Sequence, residues 1–160
     1  MRFEPGKLEV VPLSALNLAG VIQVAESLEE APHWRADSYL ELVDRNAAAR
    51  RTGLVANYRE TIEPEVVGFA IARMIPPEAE LESIGVAAAF QRLGIGQRLM
   101  RLLLEELGRS GILRLYLEVR ASNTSALTFY DSVGFGKTGT RPGYYTDPIE
   151  DAVLMERRVS

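Results

Sequence analysis

Hydrophobic and polar positions change period several times along the chain, and each change predicts an element. Leu8-Glu9-Val10-Val11-Pro12-Leu13 reads as a strand stopped by proline. From Leu13 to Leu28 the apolar residues Leu18, Val21, Ile22 and Ala25 recur at helical spacing, and Ala31 to Arg50 reads as a second helical stretch. Gly53 to Tyr58 and Glu65 to Met74 read as strands joined by a turn around Glu60 to Pro64. The consecutive prolines of Ile75-Pro76-Pro77-Glu78 break helix and ladder alike, so a turn precedes the next strand, Glu80 to Ala87. Arg98 to Ser110 is the clearest amphipathic helix: Ile95, Leu99, Leu102, Leu103 and Leu107 share a face, and Gly111 ends it. From Ile112 to Val119 the pattern is strictly alternating. Leu113, Leu115, Leu117 and Val119 point one way, and Arg114, Tyr116 and Glu118 the other. A short helix from Asn123 to Ser132 ends at Gly134, and Phe135 to Thr140 and Ala152 to Arg158 read as the last strands.

These elements describe a mixed α/β fold with one sheet of about seven strands and four helices, in a single domain over residues 1–160. The helix between Glu80–Ala87 and Ile112–Val119 makes those strands neighbours and parallel, because a crossover connection permits that pairing. A chain of 160 residues buries about 70% of its unfolded surface in one core.

Composition narrows the chemistry. Cysteine is absent, which removes disulfides, thiolate nucleophiles and cysteine zinc sites. The one histidine, His33, leaves no His–His metal pair, and no metal site is expected. The net charge of −4 lacks the basic footprint of a nucleic-acid binder. No apolar run approaches the ~20 residues that span a bilayer, and no signal peptide is visible. A soluble, cytoplasmic protein is the expectation.

One stretch offers an anion site. Ile84-Gly85-Val86 leads to Arg92-Leu93-Gly94-Ile95-Gly96-Gln97 and then to the amphipathic helix. A helix start presents free N–H groups and the positive end of the macrodipole, and glycines let an anion approach the backbone. This is neither a P-loop, which needs Gly-Lys-Ser/Thr, nor the dinucleotide fingerprint, since Leu99 stands at its third glycine. Alone, Gly-x-Gly reads more simply as tight packing at a helix start.

The run from Ile84 to Phe135 adds to this. Gln91-Arg92-Leu93-Gly94-Ile95-Gly96, Leu117-Glu118-Val119-Arg120-Ala121-Ser122-Asn123 and Phe129-Tyr130-Asp131-Ser132-Val133-Gly134-Phe135 resemble the motifs of the Gcn5-related N-acetyltransferase (GNAT) superfamily. With Tyr144-Tyr145 and Glu150-Asp151-Ala152-Val153-Leu154-Met155, they look like its bacterial subfamily that acetylates the N-terminal alanine of a ribosomal protein. Arg141-Pro142-Gly143 departs from the Arg-Arg-Asn usual there, where the acceptor enters.

The resemblance implies a V-shaped splay between the two parallel central strands, acetyl-CoA as co-substrate and direct attack by an amine. It places the pantetheine arm on the backbone of Ile84, Gly85 and Val86, and the pyrophosphate on residues 92–97, with Arg92 adding charge. Asn123 contacts the arm or caps its helix; the roles are compatible. Glu118 is the implied base and Tyr130 the implied acid, with Glu80 and Glu82 as rival bases. Tyr144, Tyr145 and Trp34 are candidate acceptor-groove residues. The acceptor implied is a protein N-terminus, most simply the alanine of a ribosomal protein. A small-molecule amine acceptor and a non-catalytic acyl-CoA sensor are the competing functions. Oligomeric state is not legible.

Overall fold

A computed structural model describes residues 1–28, 36–47 and 49–160. Its strands are β1 (Leu8–Pro12), β2 (Arg50–Tyr58), β3 (Glu65–Ile75), β4 (Glu78–Val86), β5 (Arg114–Arg120), β6 (Gly136–Tyr145) and β7 (Glu150–Arg158). Its helices are α1 (Leu18–Ser27), α2 (Ala36–Glu41), α3 (Ile95–Arg109) and α4 (Thr124–Ser132). The strands form one sheet in the order β1-β2-β3-β4-β5-β7-β6. Among the described residues only β4 and β5 run parallel, as the α3 crossover requires; every other neighbouring pair is antiparallel.

Two apolar clusters sandwich the sheet. On one face Leu99, Leu103 and Leu107 of α3 are fully buried against Ala70, Leu81, Leu115 and Leu117, with α4 along the rim. On the other, Val21, Val24 and Ala25 of α1 cover Val55, Phe69 and Ile71. The apolar stripe of α3 and the alternation of β5 each bury one side only, which fixes their orientation.

Several boundaries differ from the pattern's reading. The first helix begins at Leu18, because Ser14 to Asn17 form a turn in which Asn17 accepts the Ser14 N–H at 2.8 Å. The second is short, Ala36–Glu41, and Arg50 belongs to β2; residues 31–35, with His33 and Trp34, lie outside the described ones. Leu113 is exposed, since β5 starts one residue later. Leu102 is only half-buried, and Met100 and Leu104 take up the core positions beside it. β6 continues past Thr140 to Tyr145.

Two irregularities shape the sheet near the strand ends. Along β4, Leu81 opposes Ala72 and Ser83 opposes Ile71, so Glu82 is an extra residue without a partner in β3. This bulge shifts the alternation: Leu81 and Ile84 both serve the α3 side, while Gly85 turns toward α1. On β6, Arg141 opposes Ala152 and Tyr145 opposes Glu150, so residues 142–144 bulge outward opposite Asp151. Pro142, without an N–H, fits such a bulge, and Gly143 adopts φ +59° there.

The α3 face predicts its own test. Leu103→Ala should lower the unfolding free energy by about 2–5 kcal/mol, because a fully buried leucine leaves a cavity the sheet cannot close. Urea denaturation measures it. A loss of only about 0.5 kcal/mol, the size expected of a surface substitution, would place α3 outside the core.

Candidate active site

Pairing between β4 and β5 is confined to Glu78–Arg114, Ala79–Leu115 and Glu80–Tyr116. Beyond that point both strands continue, β4 to Val86 and β5 to Arg120, without bonding to each other. Their facing ladder groups border an open slot at the strands' C-terminal ends. β4 stays anchored to β3 on its other side through Val86, and Ala87 still donates to Val67 at 2.8 Å. The Val86 carbonyl accepts from the Gln91 side chain at 3.0 Å.

The chain then enters α3 through a tight loop. Arg92 has φ +64° and Gly94 φ +83°, both left-handed, which tips the following amides outward. Among the described residues no protein acceptor takes the N–H groups of residues 92–97, whereas Arg98 donates to Gly94 at 3.1 Å. Open space surrounds the missing Cβ of Gly94. Gly96 is different: a Cβ there would lie 3.1 Å from the Phe129 ring, so this glycine lets α4 approach α3. Gly85 likewise serves packing, since a Cβ would fall 2.8 Å from Leu28 and 3.0 Å from Phe69. The loop and slot thus offer unsatisfied donors for an anion followed by free strand edge for amide groups.

Glu118 and Tyr130 belong to opposite faces of the sheet, Tyr130 packing with the α3-side cluster that Leu117 and Val119 enter. Glu118 lies on β5 opposite its buried neighbours Leu117 and Val119, with its side chain 19% exposed. The Arg141 guanidinium stands 3.3 Å from its carboxylate and 4.8 Å from the centre of the Tyr144 ring. The neighbouring Glu118 carboxylate raises Tyr144 above the ordinary phenol range. Tyr130 packs on α4 between Phe129 and Phe135, ring centres 5.6 and 5.7 Å away. Burial, with a smaller contribution from Tyr145, pushes its hydroxyl up to about 12, so it keeps its proton at neutral pH. Tyr145 is itself raised, first by burial and then by Glu118. Asn123 caps α4, accepting the Ala126 N–H at 3.1 Å.

The rival carboxylates differ in their commitments. Glu82, on the bulge, is held in a fork by Arg51, at 2.6 and 3.3 Å, with both side chains largely buried. Glu80 makes no ion pair among the described residues; burial raises its carboxyl, and Glu82 raises it further. Arg51 stands in none of the motif runs, and the partners of Arg141, Arg120 and Glu150 were not legible, because each ion pair joins strands far apart in sequence.

Residues 21–135 match the Acetyltransferase (GNAT) family. The chain is 40% identical over 106 residues, 65% of its length and 72% of the relative's, to the [Ribosomal protein bS18]-alanine N-acetyltransferase of Escherichia coli K12. It is 45% identical over 96 residues, 58% of its length and 59% of the relative's, to the N-alpha-acetyltransferase RimI of Mycobacterium tuberculosis. The crystal structure of the ribosomal-protein-S18-alanine N-acetyltransferase from Escherichia coli superposes with a TM-score of 0.81 at 29% identity, covering 96% of this chain and 94% of that one.

Glu80 yields a stability test. Its folded-state pKa lies above the unfolded value, so the folded protein binds the proton more tightly and loses stability as pH rises through that window. Glu80→Gln should therefore be the more stable protein at about pH 8, the gap closing as pH falls below the ordinary carboxylate value of ~4.3. Urea midpoints at both ends check it, and a gap independent of pH would assign the change to packing instead.

Proposed function

The chain belongs to the acetyltransferase (GNAT) family and is an acetyl-CoA-dependent N-acetyltransferase, and from that premise we propose that it acetylates the α-amine of a protein N-terminus, with Glu118 as base and Tyr130 as acid. The observation that carries the reading is the early end of β4–β5 pairing, on a sheet that carries the Glu118 carboxylate on one face and the protonated Tyr130 phenol on the other. A ribosomal protein's N-terminal alanine is the acceptor we favour, because two relatives carry that or an α-amine activity in their names.

The residues present suit acetyl-CoA. The free N–H groups of residues 92–97, with Arg92 beside them, would hold its pyrophosphate, and the β4 edge at Ile84 to Val86 would hold the amides of its pantetheine arm. Asn123, with its oxygen engaged in the helix cap, keeps an amide N–H₂ for the same arm. The co-substrate supplies an activated thioester. No acyl-enzyme is needed, which accords with a chain that lacks cysteine.

An α-amine has a pKa of about 7.7–8.0, so much of it arrives at neutral pH as ammonium. Glu118 accepts that proton, directly or through one water, and the amine becomes the nucleophile. The incoming ammonium takes the place beside Glu118 that Arg141 holds, and Tyr144 and Tyr145 line the approach. The Val86 N–H, at the end of the free edge, donates to the thioester oxygen as negative charge grows there. Tyr130 gives its proton to the departing thiolate. Raised to about 12, it is a weak acid in isolation, and it serves by being fully protonated and held in place between Phe129 and Phe135.

Two sets of variants test this. Glu118→Gln and Tyr130→Phe should each lower kcat on the order of 10²–10⁴-fold while leaving acetyl-CoA affinity nearly intact. Activity of Glu118→Gln should recover as pH rises and the amine deprotonates unaided; Tyr130→Phe should show no such recovery. Near-normal kcat for Glu118→Gln at neutral pH would transfer the base role to Glu80 or to water. Separately, Gly94→Val forces a β-branched residue to φ +83° and should weaken acetyl-CoA binding at least ~10-fold, about 1.4 kcal/mol, by calorimetry. Peptides with different N-termini, assayed beside free amines, decide the acceptor; turnover of spermidine alone would make this a small-molecule enzyme.

A further inference from the structure

Two residues after Glu118, on the same side of β5, stands Arg120, to which the acyl transfer itself gives no part. Its guanidinium nevertheless has four protein partners. Nη1 donates to the Pro148 carbonyl and Nη2 to the Thr146 carbonyl, each at 3.3 Å. Nη1 also lies 3.7 Å from Oε2 of Glu150, and the guanidinium carbon sits 4.4 Å from the centre of the Tyr145 ring. Glu150 in turn accepts the Ser122 N–H through Oε1 at 2.6 Å.

One ion pair thereby ties three pieces of chain: the end of β5, the turn between β6 and β7, and the entry to α4. Those pieces carry Glu118, the tyrosines 144–145, and Asn123 with Tyr130. Tyr145 links the arrangement, since its ring lies under Arg120 and edge-on to Tyr144, 5.0 Å between centres, whose ring lies under the Arg141 that pairs with Glu118. The Arg120 and Glu150 side chains are 30% and 18% exposed, and a pair so near solvent contributes little to global stability. A planar fork that caps two carbonyls while stacking on a ring is, however, geometry that lysine cannot reproduce.

We propose that Arg120 and Glu150 are positioning residues for the transfer: they press Tyr145 and the β6–β7 turn against β5, so that the acceptor's path is held at a set spacing between Glu118 and Tyr130. The proposal rests on Glu118 as base and Tyr130 as acid. Its energetic logic is alignment, because a misplacement of about 1 Å costs on the order of 10²-fold in rate.

The test uses the full chain with acetyl-CoA and whichever of an alanine-initiated peptide or spermidine the wild type acetylates. Arg120→Lys and Arg120→Met should lower kcat/KM for the acceptor at least ~10-fold, with acetyl-CoA Kd changed less than ~3-fold and Tm by only a few degrees. Glu150→Gln, which keeps an acceptor for the Ser122 N–H, should lose less, and Arg120→Lys/Glu150→Gln should lose less than the product of the single changes. Amide exchange at Ser122 and at Tyr145 to Asp147 should quicken in the Arg120 variants. Wild-type kcat/KM in Arg120→Lys would overturn the proposal, as would a loss spread equally over acetyl-CoA affinity and stability. If the wild type acetylates neither acceptor, the acceptor reading fails by itself. Amide exchange then decides the clamp, and unchanged exchange in Arg120→Lys overturns it.

Discussion

Past Glu80 and Tyr116 the two parallel strands at the centre of the sheet stop bonding to each other, and the rest of the molecule is arranged around that gap. Unpaired ladder groups inside a sheet are costly unless something else satisfies them. Here β4, with its own bulge at Glu82, is kept in place from one side by β3, while β5 is kept in place from the other by seven register partners in β7. The two halves of the sheet diverge without either losing its own support. The apolar floor is continuous beneath them, because α3 and α4 cover both on one face.

The gap also sets the electrostatics. Its α3 end offers N–H donors at a helix start, a place for negative charge. Its opposite face gathers Glu80, Glu82 and Glu118, a place for positive charge. The carboxylates are not equivalent. Arg51 neutralises Glu82 in a largely buried fork, Arg141 leans on Glu118 from a more exposed strand, and Glu80 carries the repulsion of its neighbours. Of these contacts only that of Arg141 is between groups that solvent can readily separate, so Glu118 is the carboxylate most easily opened to an incoming ammonium.

The family match over residues 21–135 spans the loop, β5 and α4, and the Escherichia coli enzyme's structure follows nearly the whole chain. In β6 residues 142–144 bulge opposite Asp151, which holds the Gly143 N–H at 2.9 Å, and the Glu118 carboxylate raises the Tyr144 hydroxyl. A bulge re-aims a side chain without changing its strand partners.

Local pattern was enough for the elements whose apolar faces are clean. The stripe of α3, the alternation of β5 and the proline turn before β4 are all where the chain's periodicity puts them, and the α3 crossover dictated one parallel pair. The candidate loop and the Glu118–Tyr130 spacing were legible because they lie in contiguous runs. Leu113 and the start of α1 depart from the pattern because they sit at element ends, where one residue's type cannot tell core from edge. Tertiary structure alone decided three things. It showed that Gly96 and Gly85 serve packing against Phe129 and against Leu28 and Phe69. It committed Glu82 to Arg51 and left Glu118 beside Arg141. It also closed Arg120 onto Tyr145 and Glu150. The physical reason is shared. Periodicity records which face a residue turns to the core, whereas an ion pair or a close approach depends on segments brought together from 16 (Gly85 and Phe69) to 57 (Gly85 and Leu28) positions away, separations at which no helix or strand period carries information.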